Sequence, residues 1–287
     1  MYTDVEMRNM DKVEGDLDLY SAGSPCPAFA NQGNHLGMED PRGALIWHAV
    51  DYIDQKRPRS FMLENVPNLL TDERFEDDWV TLCRTLMELA DDRGEAAYDV
   101  DFNILDTADF GIPQSRRRLY IVGVLKSAQK HPFVWPTPTQ MLPLSCVIHG
   151  KRGGDVNIAI ADLTTTKLRN IMETYNFLLE NRIDPESHDY IVNIGGTRPG
   201  RMLNRCMCLT ANRCGEQAYF STLRFRVLDQ SDMMRLQGVD PVYFAGWEEV
   251  ISKRQMGRII GNAMSLNVVE KLVRNIFQSL GIPVSAV

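Results

Sequence analysis

The chain has no apolar run long enough to span a bilayer. Its first residues, Met1-Tyr2-Thr3-Asp4-Val5-Glu6, form no apolar signal region. Neither a membrane span nor a secretory leader is therefore expected. Cysteine is sparse: six residues, at positions 26, 83, 146, 206, 208 and 214, scattered rather than set out as a disulfide framework. That usage fits the reduced thiols of an intracellular protein. Cys206-Met207-Cys208 with Cys214 could be half of a zinc site. The usual four-ligand pattern has no second half here, so buried thiols explain them better and no metal is expected. Internal repeats and low-complexity tracts are missing, which excludes solenoids and arrays. A surplus of positive charge is missing too. The net charge is −7, which in bulk weighs against a polyanionic partner, because affinity for nucleic acid comes largely from Lys and Arg on phosphates.

What is present suits one large domain, or one domain with a small lobe, in 287 residues. Leu17-Asp18-Leu19-Tyr20 reads as a short strand ending at Gly23. Gly43 to Gln55 has apolar residues at helical spacing. Ser60-Phe61-Met62-Leu63 reads as a buried strand that stops at Glu64-Asn65-Val66-Pro67. Trp79 to Ala90 is a second amphipathic helix, and Tyr98–Leu105 and Arg118–Leu125 are strands. Strand and helix in alternation over residues 1–130 predict an α/β fold. The prolines of His131–Pro138 read as a linker. Residues 139–222 are less regular, with a helix near Leu168–Asn181 and a loop at Gly195–Gly200. Residues 227–238 and 262–280 read as helices.

Charge is segregated along the chain. Residues 72–101 are rich in Asp and Glu, as on a solvated face. Residues 112–131 carry Arg116, Arg117, Arg118, Lys126 and Lys130 with no acid, and 195–226 carry six arginines (198, 201, 205, 213, 224 and 226) against Glu216 alone. An acidic protein with two basic segments can still hold a polyanion on one face. Cys26 after a proline is, taken alone, an ordinary small buried residue. Glu64 says more, because a carboxylate at the carboxyl end of a strand lies where α/β folds place their ligands. Arg116-Arg117-Arg118 could by itself be a solvated face.

In order, these segments resemble the cytosine-5 DNA methyltransferase family. Gly23-Ser24-Pro25-Cys26-Pro27-Ala28-Phe29-Ala30 resembles the family's nucleophile motif, roughly Gly-Gly-Pro-Pro-Cys-Gln-x-Phe-Ser. Glu64-Asn65-Val66 matches its Glu-Asn-Val signature. Phe110-Gly111-Ile112-Pro113 followed by Gln114-Ser115-Arg116-Arg117-Arg118 matches its Gln-x-Arg-x-Arg motif. Arg226-Val227-Leu228 through Arg235-Leu236-Gln237-Gly238 resembles its Arg-x-Leu…Arg-Leu-Gln-Gly helix. Gly261-Asn262-Ala263-Met264-Ser265 resembles its closing element.

The resemblance implies a Rossmann-like sheet that uses S-adenosylmethionine, with a small target-recognition lobe. It divides the chain into a catalytic α/β domain (1–130), a linker and recognition lobe (131–222), and C-terminal helices returning to the catalytic domain (223–287). It makes Cys26 the nucleophile that attacks cytosine C6, a task suited to a thiolate. Glu64 would hold or share a proton at N3 in a desolvated pocket. Arg118 would orient the base and the glutamate, and Arg116 would stand near the thiol and a backbone phosphate. Asp4, Pro25, Asn262 and Ala263 would face the cofactor, Asp4 through the adenine. Gln114, Arg198, Arg201 and Arg213 are candidates for DNA contacts, although each arginine could equally be a solvated one. DNA is the implied partner, with the target base flipped out of the duplex. The implied location is intracellular: nuclear in a eukaryote, cytoplasmic in a bacterium.

The departures from the family are specific. The Phe-x-Gly-x-Gly loop that cradles the cofactor's methionine part, and the acid after the second strand, have no counterpart in this sequence. The first two strands of the sheet, and much of the donor pocket, are therefore expected to be missing. The strand leading to Cys26 should become an apolar edge, and a second polypeptide could be needed to complete the sheet. Pro27 replaces the family's glutamine and Ala30 its serine. Two other readings stay open: a catalytically inactive fragment or DNA-binding regulatory subunit, and the tRNA-methylating branch, whose Cys-Phe-Thr segment has Cys208-Leu209-Thr210 in its place.

Overall fold

The structure, a computed structural model, describes residues 10–13, 16–30, 35–150 and 163–284. In chain order it contains β1 (Tyr20–Gly23), α1 (Pro41–Ala44), α2 (Ile46–Lys56), β2 (Ser60–Asn65), α3 (Asn68–Thr71), α4 (Glu76–Met87), β3 (Tyr98–Asp106), β4 (Gln114–Ser115) and β5 (Arg117–Leu125). Then follow α5 (Thr165–Glu180), β6 (Tyr190–Asn193), β7 (Gly200–Leu203), β8 (Cys206–Met207), α6 (Ala211–Gly215), β9 (Tyr219–Ser221) and β10 (Arg226–Val227), and last α7 (Gln230–Leu236), α8 (Lys253–Asn262) and α9 (Leu266–Ser279). Among the described residues no helix is long and apolar enough to cross a membrane.

These elements form two units. The first takes residues up to 105, 117–137 and those from 270 onward; the second takes 106–116 and 138–269. The division differs from the one expected. Residues 106–116 leave the first unit, and 223–269 stay with 138–222 because β10 pairs with β9 and α8 packs against α6. Only the residues from 270 onward group with the first unit. The proline segment after 130 is anchored rather than free: Lys130 and His131 donate to the Ser279 carbonyl, Asn275 donates to the Val134 carbonyl, and the Trp135 indole donates to Asp101.

The first unit is built on a four-stranded sheet in the order β1-β2-β5-β3. β1 and β2 run parallel, whereas β2 and β5 are antiparallel. All six residues of β2 are buried, as expected of a central strand covered on both faces: Phe61, Met62 and Leu63 are apolar, and Ser60, Glu64 and Asn65 are polar residues that need partners there. Phe61 lies opposite Gly123 of β5. A β-carbon on Gly123 would fall 2.1 Å from the Phe61 ring, so the glycine is what gives that ring its place. α2 buries Ile46, Ala49, Val50 and Ile53, a 3–4 spacing that turns one face inward. It ends at Arg57, which adopts a left-handed φ of 47° before Pro58, a common helix stop. β1 occupies an edge of the described sheet, as expected of the strand leading to Cys26, but its residues are only half-buried or exposed in alternation.

The second unit holds an antiparallel sheet, β10-β9-β6-β7, and a short parallel pair, β4-β8. α5 covers the first sheet through Ile171, packed with Val192, Ile194 and Phe220. α6 and α8 approach unusually closely. A β-carbon on Gly257 would lie 2.3 Å from the Cys214 carbonyl oxygen, and one on Gly261 would lie 2.3 Å from the Ala211 nitrogen. The spacing Gly257-x-x-x-Gly261 thus puts two bare backbone positions on the face of α8 that meets α6. Ion pairs on buried carboxylates complete the unit: Arg224 with Asp189, and Arg226 and half-buried Arg235 both with Asp232. Arg224 and Arg226 therefore do not contribute to a basic surface, contrary to the charge pattern along the chain.

Candidate active site

In the first unit the two parallel strands set the site. Gly23, the last residue of β1, lies in register with Glu64 of β2. Both strands consequently end at the same level, which is where ligands of α/β sheets lie. Beyond β1 the chain passes Ser24 and half-buried Pro25 into a single 3₁₀ turn, Cys26–Ala28. Asn65 ties the two strand ends together: its amide donates to the Ser24 hydroxyl at 2.8 Å and its carbonyl oxygen accepts from the Val66 N–H at 2.7 Å. Fully buried Ala28 and Phe29 anchor the far side of the turn, with Phe29 set edge-on to Phe75. Cys26 opens this turn; its side chain is outside what the structure describes.

Glu64 is 6 % exposed, and its Oε1 lies 2.9 Å from Nε of Arg118. A buried carboxylate needs a partner to remain there, and Arg118 is that partner. Arg118 also donates from Nη1 to the Arg117 carbonyl at 2.7 Å, so the guanidinium is held at two points. The expected association of Glu64 with Arg118 is present in the structure.

Arg116 has different surroundings from those expected. It is 3 % exposed. Its Nη1 donates to the carbonyls of Leu209 at 2.7 Å and Gly261 at 3.3 Å, and its Nη2 to the Ala263 carbonyl at 2.8 Å. Cys208 Sγ lies 3.7 Å from Nη1. Every one of these partners belongs to the second unit, so the guanidinium serves as a backbone clamp. Gln114, a candidate for DNA contact, is enclosed in the same way. It is fully buried, its amide donates to the Leu236 carbonyl and to Gln237, and its carbonyl oxygen accepts from the Leu209 N–H. No polar atom of this side chain is left for DNA.

Of the remaining candidates, Arg198 is exposed on the β6–β7 loop. Arg201 is half-buried, its guanidinium 4.3 Å above the Phe177 ring. Arg213 donates to the Gly195 carbonyl and pairs with Glu216 at 3.7 Å. It braces the loop that carries Arg198. On the cofactor side, Asp4 lies outside the described residues. Asn262 is exposed at the last position of α8. Ala263 has its N–H on the Ile259 carbonyl and its own carbonyl under Arg116 and Gln237, so it can offer a ligand only its methyl group.

Burial pushes the Cys214 thiol up to about 12 and the Cys206 thiol well above its ordinary range. Both are core thiols. Among the described residues no group of His, Cys, Asp and Glu could hold a metal ion. The main feature that sequence reading missed is the hydrogen-bonding of Gln237, Ser265 and Thr107. Gln237 and Ser265 sat inside recognised motifs, but nothing local marks a glutamine as buried.

Residues 1–278 match the family model described as C-5 cytosine-specific DNA methylase. The type II methyltransferase M.NgoBI of Neisseria gonorrhoeae is 31% identical over 256 residues, covering 89% of this chain and 72% of that protein. M.HaeII of Haemophilus aegyptius is 28% identical over 267 residues, covering 92% and 75%. Among solved structures, the Entamoeba histolytica methyltransferase EhMeth superposes with a TM-score of 0.62 at 17% identity, over 97% of this chain and 83% of that one; at that identity the likeness shows the fold. Taken with the strand-end arrangement of Cys26, Glu64 and Arg118, the match over nearly the whole sequence establishes that this chain belongs to the C-5 cytosine-specific DNA methylase family.

Proposed function

We propose that the chain methylates C5 of cytosine in DNA through a covalent adduct with Cys26. The observation that carries this reading is the buried Glu64–Arg118 pair at the end of β2, in register with the end of β1 from which the Cys26 turn departs. Cytosine C5 is a weak nucleophile. Attack of the Cys26 thiolate on C6 pushes electron density onto C5 and N3. Glu64, fixed by Arg118, hydrogen-bonds the base edge and holds a proton at N3, where the charge would otherwise build. After methyl transfer, loss of the C5 proton and elimination of Cys26 restore the aromatic ring. A paired base cannot enter such a site, so the substrate is a flipped nucleotide.

S-adenosylmethionine, the donor this reading implies, would supply an electrophilic methyl group. In the first unit Pro25, half-buried at the carboxyl end of β1, is the residue proposed to border such a ligand; in the second, the exposed carboxamide of Asn262 at the end of α8 is proposed as a donor contact on the resemblance alone. Asp4 would complete the set at the adenine. In the recognition region Arg198 and Arg201 are the proposed phosphate or base contacts, with Arg213 supporting the loop.

The test uses a DNA duplex containing 5-fluorocytosine with S-adenosylmethionine. Fluorine at C5 cannot leave as a proton does, so the adduct is trapped. The unaltered protein should give a complex that survives denaturing electrophoresis, and Cys26→Ser should give none. Failure of the unaltered protein to form an adduct, while it still binds the duplex, would overturn the catalytic reading. It would favour a DNA-binding protein without activity, the alternative to which Pro27 and Ala30 point.

A further inference from the structure

A helix leaves its last carbonyls without internal partners. Water, a backbone cap or side chains can satisfy them, and at the end of α8 buried side chains do so. Gln237 Nε2 donates to the Ile260 carbonyl at 2.8 Å and to the Ala263 carbonyl at 3.2 Å. Arg116 takes the Gly261 carbonyl and shares that of Ala263. The acceptor side of Gln237 is also in use. Its Oε1 receives Gln114 Nε2 and the Ser265 hydroxyl, each at 3.1 Å. Ser265 in turn accepts from Thr107 at 2.6 Å. Gln237 is 1 % exposed and has a partner for both donors and both acceptor positions. Such a network has one low-energy arrangement, because any rotation strands a buried polar group.

The backbone groups held in this way flank one residue. Asn262 lies between Gly261 and Ala263, whose carbonyls are both clamped, while its own side chain is exposed. We propose that Gln237 is a positioning residue: it fixes the end of α8 so that the Asn262 carboxamide stands ready for the methyl donor. The inference rests on the reading that Asn262 meets the donor. Arg116 and Gln114 act with Gln237, one on the carbonyls and the other on the glutamine itself. The network joins residues 114–116, 236–237 and 260–265, with Thr107, around one helix end.

The experiment measures binding of S-adenosylhomocysteine to the full chain by calorimetry, with circular dichroism to confirm folding and with duplex affinity in parallel. Gln237→Glu replaces both donors by oxygen facing carbonyls. It should weaken binding by about tenfold or more, the scale of leaving buried carbonyls unsatisfied. Ser265→Ala removes one bond to Gln237 and leaves Thr107 its second acceptor, the Arg116 carbonyl at 3.3 Å. This milder change should weaken binding about threefold with an unaltered dichroism spectrum, and it decides the matter if Gln237→Glu does not fold. Duplex affinity should stay within about twofold for both variants. Asn262→Ala separates the contact from its support. If it weakens binding while the folded Gln237 and Ser265 variants bind as the unaltered protein does, the positioning role is wrong. If Asn262→Ala itself binds normally, the assignment of Asn262 to the donor fails, and the inference falls with it.

Discussion

Along β2 and β5 of the first unit the buried side chains are mainly apolar, with Glu64 and its arginine as the charged exception. The second unit buries Arg116, Arg224, Arg226, Asp189, Asp232, Gln114, Gln237 and Asn170. Asn170 shows how such a residue is accommodated. Its amide donates to the carbonyls of Ile194 and Gly196, holding the loop that ends β6. Apolar burial stabilises roughly in proportion to area and tolerates small shifts. Buried polar groups add little net stability when paired but cost heavily when a partner is lost. The first unit should therefore respond to volume, and the second to pairing.

The largest expected effects set these responses against each other. Phe61→Ala should destabilise by about 3–5 kcal/mol, the usual cost of emptying a core aromatic site. Asp232→Ala should cost about as much, about 3–5 kcal/mol, because Arg226 and Arg235 lose their common partner. Rescue then distinguishes the two cases. Combining Asp232→Leu with Arg226→Met and Arg235→Met should recover most of the loss, read by urea denaturation. A triple variant no more stable than Asp232→Ala would show that the ions stabilise the unit beyond their mutual pairing. Phe61→Ala has no comparable second-site remedy among polar changes.

Gly261→Ala should come next, at about 1–3 kcal/mol, the usual cost of overpacking, because the new methyl group meets the α6 backbone. Thermal melting would check it, and a neutral result would mean that α6 can move away. Arg59→Ala breaks only a surface pair with Asp18 and should cost about 0–1 kcal/mol. Thiol labelling offers a last comparison with almost no perturbation. Cys146 is exposed and should react readily with iodoacetamide at pH 8. Cys214 and Cys83, both raised to about 12 by burial, should stay unlabelled until the chain unfolds. At that pH a thiol of pKa 12 is only about one part in ten thousand thiolate, so rapid labelling would mean that these sites open easily.

The same difference explains what could be read in the sequence. β2 and β5 are apolar runs bounded by polar residues, α2 and α4 carry helical periodicity, and all four were legible within a few residues. The sheet of the second unit was not. β6, β7, β9 and β10 have two to four residues each, too few to show a period, and Arg201 and Arg226 interrupt the apolar pattern. α8 was missed because Gly257 and Gly261 lower its helix propensity, while its packing against α6 requires them. The roles proposed for Cys26 and Glu64 rest on motif order. The places of Gln114 and Arg116 were not, since their partners lie more than 90 positions away, at Leu209, Leu236 and Gly261. A polar residue whose burial depends on such distant carbonyls looks, in sequence, like a surface residue.

The bare-backbone contact between α6 and α8 also limits how segments of the second unit could be exchanged between relatives. A graft that ends before Thr210 leaves the contact intact and replaces only β6 to β8 and their loops. A graft that runs through Ala211–Gly215 brings in a foreign helix start, which must seat against two glycines with no side chain to adjust the fit. Swaps with their downstream junction before Thr210 should thus yield soluble chimeras more often than swaps with a junction just after Gly215.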